Sequence, residues 1–249
     1  MGKREDYREE LSRLRKWDDF LLKNSGLPGP RGNLELAQAV ADLADEPRIR
    51  KWLAWTADKA PTNSPEEFLS FCGAVGLGRL LVEGRREVLK DLRRLAADSR
   101  WRMREGVAMA LQRWGEHDFD AMVKGILPWA RGGPYERRAV VAGLCEPALL
   151  KGPREAERVL QIVDSITASL PRPDARKTDE FQALRKGLAY GWSVAVCAGP
   201  EPGKALMEKW FLSDDRDVIW IMKENLKKNR LVRMDPAWVK SWSARLNKR

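Results

Sequence analysis

Nucleophilic or metal chemistry in this chain would fall to Cys72, Cys145, Cys197 and the single histidine, His117. A thiol attacks as its thiolate and needs a base beside it. The one imidazole lies in the acidic sequence WGEHDFD (114–120), whereas each cysteine sits among small or apolar neighbours. Three thiols so widely separated cannot all pair, and they are expected to be buried and reduced. The carboxylates Glu116, Asp118 and Asp120 read as an acidic turn between helices. Neither paired CxxC spacing nor a His-rich cluster occurs, so no metal site is expected. Walker and Rossmann glycine motifs are absent too, and no cofactor is expected. GAVGLGR (73–79) carries glycines at suggestive spacing but lies inside an apolar helical pattern with no strand before it, which predicts a close helix–helix contact. No catalytic residue can be assigned.

Phosphate chemistry has better candidates. Arg48, Arg50 and Lys51, then Arg100, Arg102 and Arg104, then Arg137 and Arg138, then Arg185 and Lys186 each fall near the start of a helical segment. Guanidinium forks and the free amides of a helix start both suit phosphate oxygens. Arg50 and Arg104 are expected to meet acidic turn residues, with Asp45 and Asp98 placed for it. Arg100, Arg102, Arg138 and Lys186 are left as candidate nucleic-acid contacts. Trp101, set among Arg100, Arg102 and Arg104, is the candidate for stacking on a base or sugar. A further basic excess lies at the carboxyl end, where residues 204–249 hold 12 of the 46 basic side chains and 6 of the 36 acidic ones. Lys227 and Lys228, in the stretch from Lys223 onward, are its candidate nucleic-acid contacts. It reads equally as a polyanion-attracting surface or as a solvated cap on the last helices.

The elements that must position these groups are helices. A chain of 249 residues with 43% hydrophobic and 33% charged residues can bury a large core, and is too apolar to be disordered. Val88, Leu89, Leu92, Leu95 and Ala96 form one helical stripe, and Met103, Val107, Ala110, Leu111 and Trp114 form the next. Tyr7, Leu11, Leu14 and Leu21 make another, as do Val159, Ile162, Val163, Ile166 and Leu170, and Val218, Met222 and Leu226. Gly and Pro cluster between stripes at 25–32, 60–65, 132–134, 151–153, 170–174 and 199–203, marking turns between about a dozen helices. No alternating run bounded by a hairpin signal occurs, so the fold class is expected to be all-α. The longest stretch without Asp, Glu, Lys or Arg, Gly187 to Pro200, has 14 residues, short of the roughly 20 that a membrane-spanning helix needs. No membrane partner is expected. The amino terminus lacks a secretory or mitochondrial signal, and a cytoplasmic location is expected.

Internal similarity separates the possible all-α arrangements. DSRWRMREGVAMAL (98–111) resembles the second helix of a HEAT repeat, with an acidic turn residue, an aliphatic-Arg pair and a small-residue stripe ending in Leu. DEPRIRKWLAWTA (45–57) has the same order, and looser copies begin near 135, 184 and 218. The resemblance to the HEAT-like (armadillo-type) helical repeat family implies an α-solenoid with a concave face lined by second helices. It implies an amino-terminal helix and linker over 1–33, a repeat array over 34–230 and a basic capping helix over 231–249.

In length, basic charge and its 11 Trp residues, the chain is also similar to the HEAT-like-repeat DNA glycosylases for alkylated purines. That similarity implies shared architecture and polyanion binding, and no catalytic residue is carried over. The first expectation is therefore a non-enzymatic scaffold that binds DNA or RNA backbone. The others are a protein–protein adaptor and an alkyl-base DNA repair glycosylase; fold alone does not choose among them.

Overall fold

The computed structural model describes residues 2–248. Among them the secondary structure is helical with no strand, and the chain divides into two compact units, residues 1–122 and 123–249. The first unit holds α1 (Lys3–Arg13), α2 (Asp18–Lys23), α3 (Leu34–Leu43), α4 (Glu46–Leu53), α5 (Pro65–Val82), α6 (Leu89–Leu95) and α7 (Trp101–His117). The division falls inside α8 (Phe119–Ile126). The second unit continues with α9 (Pro134–Leu144), α10 (Pro153–Ala168), α11 (Asp179–Ala198), α12 (Pro200–Phe211), α13 (Arg216–Leu226), α14 (Asn229–Met234) and α15 (Pro236–Asn247).

Helix starts follow local chemistry. Asn33, Asp45, Ser64, Thr178, Asp215 and Asp235 each accept a hydrogen bond from an amide in the first turn that follows, satisfying donors that have no partner within the helix. Proline occupies the first turn of α4, α5, α9, α10, α12 and α15, where its missing N–H costs nothing.

The first unit is built around α5, which packs against α2, α3, α4, α6 and α7. Phe68, Leu69, Phe71, Cys72, Val75, Leu77, Leu80 and Leu81 are all buried, so this helix is apolar around most of its circumference. Its glycines do what their setting predicts. A Cβ at Gly78 would lie 2.7 Å from the Ala110 backbone of α7, and one at Gly76 would lie 2.9 Å from the Ile49 side chain of α4. Only hydrogen at those positions lets the helix axes come so close.

The second unit is built around α11, which packs against α9, α10, α12, α13 and α14. Buried Asn225 of α13 ties the two helices with polar bonds. Its amide donates to the Leu188 carbonyl at 3.0 Å, and its carbonyl accepts from the Ser193 amide at 2.8 Å.

The ends of the chain belong to these units. α1 packs on α3, and α15 packs on α13 and α14. The compact division at 122/123 therefore falls within the segment 34–230 that the repeat pattern treats as one array. No helix among the described residues is long and apolar enough to cross a membrane.

Candidate functional site

The arginines at the start of α7 are interior groups. Arg100 is 3% exposed and Arg102 is 3% exposed. The Arg100 guanidinium donates to the Asp98 carboxylate and to the Trp55 and Ala60 carbonyls, the last two at 3.1 Å. Arg102 pairs with fully buried Glu67 at 3.0 Å and donates to the Gly29 carbonyl at 2.7 Å and to Asn63 Oδ1 at 3.2 Å. The expectation that these two arginines face a ligand is thus corrected. The loops over 25–32 and 60–64 cover the beginning of α7, and their carbonyls need the donors that Arg100 and Arg102 supply.

Trp101 is 43% exposed and its ring covers the Arg102 guanidinium, which lies 4.3 Å from the centroid. Arg50 reaches Glu46 and Asp91, with Asp45 instead capping α4. Arg104 donates to the Asp98 and Ser99 carbonyls, while the Asp98 carboxylate goes to Arg100.

In the second unit, Arg138 is half-buried on α9. Its Cγ lies 3.3 Å from where a Cβ on Gly187 of α11 would be. Lys186 is exposed on α11, one turn before Tyr190.

Lys227 and Lys228 meet at a site that the sequence only half reveals. Together with Tyr190, Asn229, Arg230 and Arg233 they line an open depression of about 460 Å³. α11 supplies the tyrosine, and the α13–α14 corner supplies the rest within seven consecutive positions. The Arg230 guanidinium stacks 4.7 Å from the Tyr190 ring centroid and donates to its hydroxyl. The Lys228 ammonium lies 5.9 Å from the same centroid. Lys227 pairs with Glu224, at 2.5 Å. Among the described residues, Lys228, Arg230 and Arg233 have no acidic partner. Among the described residues no carboxylate lines the depression, and the nearest acidic group shown is Glu224, paired with Lys227.

No family model matches the chain, and no curated protein matches it. The crystal structure of an engineered protein, determined by the Northeast Structural Genomics Consortium, is similar to it at 16% identity, over 97% of this chain and 98% of that one, with a TM-score of 0.34. That likeness is too slight to carry any property from one protein to the other.

Elsewhere the reactive groups are quiet. Cys72 and Cys145 are buried, and Cys197 is half-buried. Burial lifts the Cys72 thiol well above its ordinary range, pushes Cys145 up to about 12 and raises Cys197 as well. His117 is exposed at the end of α7. Asp118 alone separates α7 from α8 and accepts from the Ala121 amide at 2.9 Å; the expected acidic turn is thus a single residue, with Glu116 in the last turn of α7 and Asp120 in the first turn of α8. Among the described residues, no three His, Cys, Asp or Glu side chains are grouped so as to hold a metal ion.

Tyr190, Arg230 and Arg233 were outside the candidate set read from the sequence. The two arginines carry a visible signal in the basic run after Lys223. Tyr190 carries only a faint one, as an aromatic residue one turn after a lysine. Its proximity to residue 230 depends on how α14 packs against α11.

Proposed function

We propose that the protein binds nucleic acid through the phosphate backbone, using the basic depression around Tyr190. The observation that carries this reading is the gathering of Lys227, Lys228, Arg230 and Arg233 on one open site without a lining carboxylate. Lys227 is partly answered by Glu224, but Lys228 and Arg230, held against the Tyr190 ring, and Arg233 have no acidic partner among the described residues, and such cations attract polyanions. Lys186, exposed one turn from Tyr190 on α11, extends the same charge along that helix.

The architecture that accompanies this reading is a HEAT-like stack of helix pairs. In the second unit α11 neighbours both α9 and α13, while α10 neighbours α12, a pattern that supports two parallel rows of helices. In the first unit α1, α3, α5 and α7 are successive neighbours. A cytoplasmic location belongs to the same reading.

The test is binding of a labelled oligonucleotide of arbitrary sequence, followed by fluorescence anisotropy across a salt series. Three or four phosphate contacts on a single strand predict a log–log slope of about −2 to −3, a loss of roughly twentyfold to fiftyfold between about 50 and 200 mM salt. The double variant K228E/R230E should flatten that slope. Binding that is weak at all salt concentrations, or unchanged in the variant, would overturn the proposal and favour a protein adaptor.

A further inference from the structure

We propose that the depression at the α13–α14 corner takes the terminal phosphomonoester of a nucleic-acid strand, in preference to an internal phosphodiester; this rests on the nucleic-acid reading above. The argument begins with the distribution of charge. A surface that follows a backbone spreads its cations along a track, because each internal phosphate brings a single charge. Here four basic residues of 227–233 line one site of about 460 Å³, together with Asn229 and Tyr190. A monoester carries about −1.5 to −2 charges and three strong acceptor oxygens. Its density of charge and acceptors suits such a site better than a diester does.

Local compensation strengthens the point. Glu224 answers Lys227 alone, and the carboxyl-terminal end of α13, worth about half a negative charge, offsets part of Lys227 and Lys228. Arg230 and Arg233 remain, with the balance of Lys228. The Tyr190 ring holds two of these heads in position, with Arg230 4.7 Å and Lys228 5.9 Å from its centroid. Such stacking fixes cations that would otherwise repel one another and sweep through solvent. The site is thereby arranged for a compact dianion before any ligand arrives. A strand leaving the depression over α11 meets Lys186 about 6 Å along the helix axis, placed for the first internal phosphate.

The experiment compares one short single strand in three forms, with a 5′-phosphate, with a 3′-phosphate and with hydroxyls at both ends, against the full chain at fixed salt. At least one phosphorylated form is expected to bind about tenfold tighter than the unphosphorylated strand, the scale of one or two added charge-assisted hydrogen bonds. In R233A that ratio should fall towards one, while affinity for the unphosphorylated strand drops by less. Equal affinity for all three forms with a steep salt dependence would overturn end recognition and leave backbone binding standing. No binding of any form would overturn both. A nucleoside monophosphate or a phosphopeptide that competes as well as the phosphorylated strand would also overturn the strand-end assignment, giving the site to a small molecule or a protein.

Discussion

Arg102 illustrates how a residue chosen for its charge can turn out to serve the interior. It forms a buried ion pair with Glu67, and it donates to the Gly29 carbonyl and to Asn63 Oδ1. Removing one partner of such a pair strands the other charge and costs about 3–5 kcal/mol. Arg102→Ala is therefore expected to lower stability in urea denaturation by about that amount, whereas Trp101→Ala, which removes a half-exposed ring stacked on that guanidinium, should cost less, about 0.5–2 kcal/mol. A loss below about 1 kcal/mol in Arg102→Ala would contradict the assigned role. The Glu67 Oε1 and Arg102 Nε atoms are buried without a hydrogen-bond partner, so the double variant E67L/R102M should be milder than either single change. A second anchor is Asp42, which receives Arg4 and Arg113. Burial works against its charge, yet those hydrogen bonds hold its carboxyl below the ordinary value of 3.8. A depressed carboxylate contributes stability that is complete above the unfolded value and is lost as pH falls through the folded one. The melting temperature should therefore drop below about pH 4, and Asp42→Asn should be less stable at neutral pH with a shallower acid decline.

At the scale of elements, the stripes and turn signals were legible because burial imposes them on the sequence. Met103, Val107, Ala110, Leu111 and Trp114 are buried on α7, and Val159, Ile162, Val163 and Ile166 are buried on α10. The glycines of GAVGLGR were legible for the same reason, since they sit where an apolar helix meets its neighbours. Gly78→Ala places a methyl 2.7 Å from the Ala110 backbone, and backbone cannot swing aside. It should cost about 1–3 kcal/mol, measured by chemical denaturation; an unchanged midpoint would show that α5 and α7 can part without penalty. What the sequence concealed was the covering of helix starts. The same pattern of Arg at a first turn can face solvent or a neighbouring loop, and nothing local distinguishes the two at Arg100. Lys227 and Lys228 could be picked out because an uncompensated run stays visible in one dimension. Their partner Tyr190 could not, since it lies 37 residues or more away on another helix.

Over the whole molecule, charge and thiol chemistry give the clearest expectations. All three cysteines are shifted towards the protonated form by burial, so Cys72 and Cys145 should resist a thiol reagent in the native protein at pH 8. Half-buried Cys197 should react slowly, and all three should react at once in denaturant. Rapid native labelling of two or more thiols would contradict this packing. The clasp made by Arg102 has a different consequence. Linear helical arrays come apart piecemeal, each layer held only by its neighbours. Residue 102 reaches back to residues 29, 63 and 67, strapping the start of α7 to the start of α5 and to two loops that precede it. Amide exchange in residues 29–102 should thus report one shared opening event rather than a gradient of fraying.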